Sequence, residues 1–282
     1  MNNSIFETEF SYDESKIIIF GTPFDSTTSY RPGTRFASRT MRAESYGLEY
    51  YSPAQKIELC NVPFHDAGDL DLSFGDTSLT LKDVENFTDK ILNDKKFPIM
   101  LGGEHLLTLA PVKAAYNHFD DLALIHFDAH ADLRDEYLGV KYSHATVVHR
   151  IFDFLGEDSI FQFGIRSGDK SEFDFADEHT HLNLFNFDGL EEIISKLKGR
   201  HVYLTIDLDV LDPSVFPGTG TPEAGGVNFI ELMKAAFKVV DGCEVVALDL
   251  MELSPPYDPS GISTATALKL LRELLIRVNL NI

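Results

Sequence analysis

Short runs of almost uninterrupted apolar residues recur along this chain, and they constrain its fold more than any other feature. Several of them lack alternation of apolar and polar positions, which is typical of strands buried on both faces of a parallel sheet. The runs are Lys16–Phe20, Ile57–Cys60, Pro98–Leu101, Leu122–Phe127, Ile160–Gly164, Leu182–Phe185, His201–Ile206 and Glu244–Leu250. Helical patterns lie between many of them, so the sequence predicts an α/β fold with helices on both sides of one sheet.

Two of the helical patterns begin with a capping signal. Thr80 followed by Asp83 precedes one amphipathic segment, and Asn228 followed by Glu231 precedes another. A third helix is predicted over residues 267–278, where apolar side chains recur at helical spacing.

The length and composition fit one large domain. The chain has 282 residues, of which 44% are hydrophobic, and it contains no internal repeat or linker-like stretch, so residues 1–282 are expected to form a single domain. Its 24 basic and 45 acidic residues give a net charge of −21. This charge disfavours binding to nucleic acid or anionic membranes and suits a cationic ligand or metal ions, although many cytosolic proteins are acidic.

The sequence also predicts a cytoplasmic location. Residues Met1–Ser15 are polar and acidic and lack the pattern of a signal peptide, and no apolar run approaches the length needed to span a bilayer. The two cysteines, Cys60 and Cys243, form no recognisable motif and are expected to be reduced, buried thiols.

Acidic residues and histidines follow four of the predicted strands, at the point where each strand ends. The four segments are Gly102–His105, Asp128–Asp132, Asp207–Asp212 and the region of Glu252. Because ligands gather at the carboxyl ends of strands in open α/β sheets, these groups are expected to converge on one edge of the sheet.

The spacing of these groups indicates a metal site. Alternate residues of an extended segment point to the same side, so the acidic and imidazole groups within Asp128–Asp132 face one way, as do those of Asp207–Asp209. Carboxylates cannot remain charged together in a buried cleft without cations. The candidate ligands are His105, Asp128, His130, Asp132, Asp207 and Asp209. Six ligands exceed what one ion usually needs, which favours two ions, at the separation of about 3.5–4 Å found in such sites.

The ligand types favour manganese. Hard carboxylates are combined with two imidazoles and no cysteine, although iron, cobalt, nickel or zinc could occupy the same set.

Each of these pieces also has an ordinary structural explanation. A histidine near an apolar run is more often packed than a ligand, which is the interpretation for His126, His149 and His201. An isolated Asp-x-Asp is usually a cap or a turn, and Asp207–Asp212 lacks the glycine and terminal glutamate of an EF-hand. Their joint placement after predicted strands is what favours the metal site.

These motifs resemble the arginase/agmatinase (ureohydrolase) family. The matching blocks are GGEH at Gly102–His105, DAHAD at Asp128–Asp132, DLDVLDP at Asp207–Pro213 and MELSPPYD at Met251–Asp258, and matching segments extend over nearly the whole chain. The resemblance implies a three-layer α/β/α sandwich around a central, mostly parallel sheet of about eight strands. It also implies two Mn²⁺ ions on the same six ligands, and assembly as trimers or hexamers.

Two positions depart from the commonest family pattern. The frequent GGDHS occurs here with Glu104 and Leu106. Glu104 keeps an acid that could orient a metal ligand, whereas Leu106 lacks the hydroxyl of the common motif. Elsewhere, Ala145 follows His144 where many members have glycine.

The resemblance implies hydrolysis of a guanidino compound to urea and an amine. Glu252 is expected to bind the guanidinium through paired hydrogen bonds, and His144 to shuttle a proton to the departing amine, since histidine titrates near working pH. The structural alternatives are that Glu252 caps a proline-rich turn and that His144 begins a helix after Ser143.

The substrate is expected to be agmatine, which would give putrescine and urea. The segment Leu133–Tyr142 lacks the arginase pattern for the α-carboxylate and α-amine, whereas Thr27–Phe36 is similar to the agmatinase form. Arginine, guanidinobutyrate and other guanidino compounds remain open.

Three other functional classes fit the sequence less well. A dimetal phosphohydrolase would need basic residues near the metals, and the DAHAD block offers only Arg134 and Lys141. A noncatalytic metal-binding relative would usually lack a ligand, His144 or Glu252. A Rossmann-type dehydrogenase is disfavoured because no G-x-G-x-x-G follows a strand.

Overall fold

The computed structural model, which describes residues 4–73 and 75–282, contains an eight-stranded sheet in which every pair of neighbours is parallel. The strands, including two in a separate antiparallel hairpin, are β1 (Ile17–Gly21), β2 (Tyr51–Ser52), β3 (Ile57–Glu58), β4 (Phe64–Asp69), β5 (Phe97–Leu101), β6 (Ala123–Phe127), β7 (Ile160–Ile165), β8 (His181–Leu184), β9 (His201–Asp207) and β10 (Glu244–Met251). Their order across the sheet is β4-β1-β5-β10-β9-β6-β7-β8. The expected parallel sheet of about eight strands is confirmed.

Helices cover both faces of the sheet and produce the expected three layers. They are α1 (Ala37–Glu44), α2 (Thr77–Asn93), α3 (Leu109–His118), α4 (Val147–Leu155), α5 (Lys170–His179), α6 (Leu190–Lys196), α7 (Phe229–Gly242) and α8 (Ile262–Asn279). Side chains of α1, α6, α7 and α8 pack on one face, and those of α2, α3, α4 and α5 pack on the other.

The two cores explain why the strands are apolar without alternation. In β1, Ile17 and Ile19 belong to the core under α1 and α8, whereas Ile18 and Phe20 belong to the core under α2 and α3. Burying a side chain of this size contributes about 1.5–3 kcal/mol, so both faces of the strand favour the same placement.

One predicted strand is shorter than expected and lies outside the main sheet, and one sheet strand was missed. The predicted run Ile57–Cys60 forms only a short hairpin strand followed by a 3₁₀ turn at Leu59–Asn61. The edge strand of the sheet is instead β4, which is half-exposed and polar, and two of its acids, Asp66 and Asp69, pair with Arg42. An edge strand does not need apolar residues on both faces, so it gives no continuous apolar signal.

The helix caps agree with the sequence in one case of two. Asn228 and Glu231 form the predicted capping box at the start of α7. At α2 the cap is Asp76, which accepts two backbone N–H groups, whereas Thr80 lies inside the first turn and donates to the carbonyl of Ser73.

Two further observations concern the predicted absence of a membrane span and the predicted burial of the cysteines. Among the described residues, no helix is both long enough and apolar enough to cross a membrane. Cys60 is exposed and Cys243 half-buried, so the expectation of two buried thiols is wrong for Cys60.

Candidate metal centre

The four segments singled out in the sequence converge because the strands before them are neighbours. Strands β5, β10, β9 and β6 are consecutive in the sheet. Asp207 is the last residue of β9, Asp128 directly follows β6 and Glu252 directly follows β10. His105 begins a 3₁₀ turn shortly after β5, so all four segments meet at one edge of the sheet.

The first group of candidate ligands surrounds His105. Its Nδ1 atom lies 2.9 Å from Oδ2 of Asp128, 3.4 Å from Oδ2 of Asp132 and 3.2 Å from Oδ2 of Asp207. All four residues are buried. Asp132 adopts a left-handed backbone conformation with φ of +53°, a sparsely populated region whose strain is often stored at functional sites.

The second group shares Asp128 with the first. Nδ1 of His130 lies 3.4 Å from Oδ1 of Asp128 and 3.1 Å from Oδ2 of Asp209. The two oxygens of Asp128 therefore face different histidines, so Asp128 offers one oxygen to each group.

His105 offers a nitrogen that fits a cation. Its Nε2–H donates to Oγ1 of Thr205 at 2.9 Å, because the Thr205 hydroxyl itself donates to the buried Asp249 at 2.6 Å. In the neutral ring the Nδ1 atom therefore carries the lone pair, and it is buried beside three carboxylates. Burial lowers the pKa of His105, but Asp128, Asp132 and Asp207 outweigh burial and raise this pKa well above its ordinary value, so without metal a proton occupies the position that suits a cation. Thr205 and Asp249 orient the ring.

His126 was interpreted from sequence as a packed residue, and this interpretation is incomplete. It is fully buried, but its Nε2 atom lies 2.8 Å from Oδ2 of Asp128. The amide of Gln162 donates to its Nδ1 atom at 3.0 Å, so Nε2 carries the proton and donates to the carboxylate. Both ring nitrogens are occupied, which makes His126 a support for Asp128 rather than a ligand. His149 and His201 do pack on aromatic rings, as expected.

The pKa values show how strongly these groups compete for protons. Burial, together with the charge of Asp128, raises the pKa of Asp132 to about 7. Burial and the charge of Asp209 raise the pKa of Asp207 well above its ordinary value. For Asp128, burial is outweighed by the neighbouring histidines, which lower its pKa. Such opposing shifts are characteristic of functional sites, and bound cations would favour the charged forms of these carboxylates.

A pocket of about 200 Å³ opens onto this cluster. Its inner wall includes His105, His130 and Asp207, together with Glu252 and His144. Both proposed catalytic residues therefore face the same cavity as the candidate ligands.

Glu252 is held beside His105. Its Oε1 atom accepts the backbone N–H of His105 at 2.8 Å, and its other oxygen has no hydrogen-bond partner among the described residues. The backbone of Glu252 is left-handed, with φ of +62°, and the residue is buried. Burial raises the pKa of Glu252 well above its ordinary value, which a bound cation would reverse. This carboxylate does not cap the proline-rich turn that follows it.

His144 lies at the start of a 3₁₀ turn, His144–Thr146, which Ser143 caps. Its Nδ1–H donates to the carbonyl of Thr27 at 3.0 Å, and its Nε2 atom lies 3.2 Å from the hydroxyl of Ser29. Burial lowers the pKa of His144 to about 4, so the imidazole is neutral at pH 7. The expectation that it titrates near working pH is therefore not met, although a neutral imidazole can accept a proton.

The contacts of Glu104 differ from the expected ones. Its carboxyl group accepts hydrogen bonds from Thr27 and Thr28 rather than from a metal ligand. Leu106 is fully buried in the core under α2, so an apolar residue suits that position. Ala145 lines the pocket beside His144.

The part of the pocket lined by Arg134, Tyr137 and Glu172, called the outer wall below, carries a small charge network. Arg134 pairs with Asp169 at 3.2 Å and with Glu172 at 3.1 Å, and it lies 4.7 Å from the ring centroid of Tyr137. Arg134, Tyr137 and Glu172 all line the pocket. The sequence did not point to Glu172, because it follows β7 by several residues and looks like an ordinary helix-capping acid.

Asp212, the last acid of the DLDVLDP block, lies outside the cluster. It accepts hydrogen bonds from Ser214, Gly225 and Gly226, and those from Ser214 contribute most to lowering its pKa to about 2. Its role is to hold the long loop after β9.

Known proteins are similar to this chain in sequence and in fold. The sequence model of the arginase family matches residues 15–276. An agmatinase from Bacillus cereus is 46% identical over 94% of this chain and 93% of its own length. A guanidinobutyrase from Pseudomonas aeruginosa is 34% identical over 90% of this chain and 84% of its own length. The crystal structure of a Clostridium difficile protein provisionally called an agmatinase has a TM-score of 0.92 and 52% identity, covering 95% of this chain and 99% of that one.

Proposed function

The chain belongs to the arginase family, and we propose that it hydrolyses agmatine to putrescine and urea. One observation carries the proposal. His105, whose Nδ1 atom faces three carboxylates, and Glu252, which has one free oxygen, line one small pocket together with His144. A site for cations, a carboxylate for a guanidinium and an imidazole for a proton therefore share one cavity.

The six candidate ligands suit two divalent cations. The four aspartates carry four negative charges when ionised, which two divalent ions would balance, and Asp128 faces both histidines. Mixed carboxylate and imidazole ligands favour Mn²⁺ among the metals that could bind. When bound, such a pair would supply the Lewis acid that lowers the pKa of a water molecule toward about 7.

The remaining chemistry falls to Glu252 and His144. The free oxygen of Glu252 accepts N–H groups of the guanidinium and holds its carbon in place. A water oxygen adds to that carbon, and the bond from the carbon to the substituted nitrogen breaks. His144 takes one proton originating from the water on Nε2 and gives it to the departing nitrogen. The second water proton also ends on that nitrogen as the carbonyl of urea forms, so the products are urea and the amine in its ammonium form.

The outer wall favours a substrate with a distal ammonium group. Asp169 and Glu172 present two carboxylates against the single guanidinium of Arg134, which leaves one negative charge in that network. The distal ammonium of agmatine complements this charge, whereas the distal carboxylate of guanidinobutyrate is repelled by it. The acidic surface of the whole chain acts in the same direction.

The substrate assignment is tested by urea release from manganese-loaded protein with agmatine, arginine and 4-guanidinobutyrate in parallel. The proposal expects agmatine to give a kcat/KM well above the other two. A preference for guanidinobutyrate or arginine would keep the reaction and overturn the substrate. Urea from none of the three, with metal bound, would support the noncatalytic alternative.

We also propose that the protein acts in the cytoplasm as a trimer or hexamer. The family resemblance supports this assembly, and light scattering coupled to size-exclusion chromatography would test it against the chain mass of 31.6 kDa.

A further inference from the structure

Thr27 contacts His144 at two points. The backbone N–H of His144 donates to Oγ1 of Thr27 at 3.1 Å, and Nδ1 of His144 lies 3.0 Å from the carbonyl oxygen of Thr27. The two residues are 117 positions apart in sequence, so this contact exists only in the folded chain.

The chemistry of these groups fixes the direction of each hydrogen bond. A carbonyl oxygen can only accept, so Nδ1 of His144 carries the proton, which the Ser143 hydroxyl oxygen at 3.3 Å can also accept. Nε2 of the neutral ring then carries the lone pair, and the hydroxyl of Ser29 can donate to it at 3.2 Å. The imidazole is therefore held as one tautomer, with its basic nitrogen on the side of Ser29, which lines the pocket.

Glu104 fixes the other side of Thr27. The backbone N–H of Thr27 donates to Oε2 of Glu104 at 2.8 Å, and the Thr27 hydroxyl donates to Oε1 at 2.5 Å. The hydroxyl is free to donate there because its oxygen accepts from the N–H of His144. Glu104 is fully buried, whereas Thr27 lies on a half-exposed loop, so the loop is tied to the interior at this residue.

We propose that Glu104 and Thr27 act as positioning residues that hold His144 in the Nδ1–H tautomer, with Nε2 available for proton transfer. This inference rests on the proposed function for its catalytic meaning, but the tautomer itself is a property of the folded protein. It also gives the departure from the commonest family motif at Glu104 a role, because this side chain reaches Thr27 and Thr28.

The test compares Thr27→Val, which removes the hydroxyl at nearly constant volume, with Thr27→Ser, which keeps it. Thr27→Val should lower kcat about tenfold or more, since small errors in the position of a catalytic group are costly, while KM and bound metal stay unchanged. Thr27→Ser should recover kcat to within about twofold of wild type, because the hydrogen bonds are restored. Thr88→Val, which removes a buried hydroxyl in α2 remote from the pocket, is the matched control and should change nothing.

A double-mutant cycle separates positioning from a general structural effect. In a His144→Ala background, Thr27→Val should have little further effect on kcat, because there is no imidazole left to position. Equal losses from Thr27→Val in both backgrounds would overturn the inference. Full activity of the single variant Thr27→Val, measured beside active wild-type enzyme, would also overturn the inference.

A measurement without substrate keeps the inference distinguishable from the proposed function. Nitrogen NMR of histidine-labelled protein should show Nδ1–H on His144 in the wild type, and the signals of His144 are assigned as those missing from the His144→Asn variant. An Nε2–H tautomer in wild type would overturn the inference whatever the protein hydrolyses. If the tautomers behave as expected but no guanidino compound is cleaved, the proposed function alone fails.

Discussion

Nδ1 of His105 lies 2.9 Å from Oδ2 of Asp128, and Asp207 and Asp132 present further carboxylate oxygens at 3.2 and 3.4 Å. On the opposite side of the ring Nε2–H donates to Thr205, so Nδ1 is the nitrogen that can bind a cation. Burial lowers the pKa of His105, but the three carboxylates outweigh burial and raise it well above its ordinary value. A proton therefore occupies this position without metal, and a bound cation would replace that proton.

Thr205→Val should weaken metal binding, because it removes the acceptor that keeps the proton on Nε2 of His105 and fixes the ring. We expect metal affinity to fall about 10- to 100-fold, the range typical for loss of a group that orients a ligand. Calorimetric titration of Mn²⁺ into the metal-free protein measures this directly. Thr205→Ser keeps the hydroxyl and should bind nearly as tightly as wild type; equal affinity in all three proteins would show that the hydroxyl does not orient His105.

His144→Ala should lower turnover and leave the metal content intact. Loss of a proton-transfer group typically costs about 10²- to 10⁴-fold in rate. Asp128→Ala should instead lose metal and activity together, since Asp128 faces both candidate sites. Metal analysis by mass spectrometry beside kcat distinguishes the two variants, and a parallel loss of metal in His144→Ala would contradict the shuttle role.

The pKa of His144 predicts a pH effect on stability. Its folded pKa of about 4 lies below the ordinary value of 6.5, so between these two pH values the unfolded chain binds a proton that the folded chain does not. The free energy of unfolding should therefore fall as the pH decreases through this window, and the contribution is fully present above it. Denaturant unfolding of metal-free wild type and His144→Gln at pH 7.5 and pH 5 should show a smaller loss in the variant. The same pH dependence in both proteins would exclude His144 as the source.

Glu172→Gln should shift substrate preference. The change removes one negative charge from the outer wall while keeping a side chain of similar shape. We expect KM for agmatine to rise several-fold, with a smaller change or a decrease for 4-guanidinobutyrate. The ratio of the two kcat/KM values is the measurement, and circular dichroism melting controls for the role of Glu172 in the capping box of α5. An unchanged ratio would show that the outer wall does not discriminate between substrates by the charge at their distal end.

The sequence predicted the parts of this structure that are encoded locally. Apolar runs predicted seven of the eight sheet strands. Six of these lie inside the sheet, where helices cover both faces, and the seventh, β8, is a half-exposed edge strand. Alternation within Asp128–Asp132 predicted that its side chains share one side, and the structure brings all six candidate ligands together. Their roles as ligands remain a proposal.

The features that the sequence did not predict are mainly contacts between residues far apart in the chain. His126 lies two residues before Asp128, so the same alternation could have indicated that it shares a face with Asp128; only the contact with Gln162 shows that it is a donor. The hydrogen bonds from Glu104 through Thr27 to His144 join three separate segments, and no local sequence pattern indicates them. Polar β4 was missed because an edge strand carries little apolar signal.

The most direct test of the central claim is product analysis with agmatine. Metal-free protein, protein loaded with Mn²⁺ and Asp128→Ala treated with Mn²⁺ are each incubated with agmatine, and urea and putrescine are quantified. The account predicts equal amounts of the two products from the loaded protein and none above background from the other two samples. Loaded protein with intact fold and bound metal that forms neither product, or products that form equally well without metal, would contradict it.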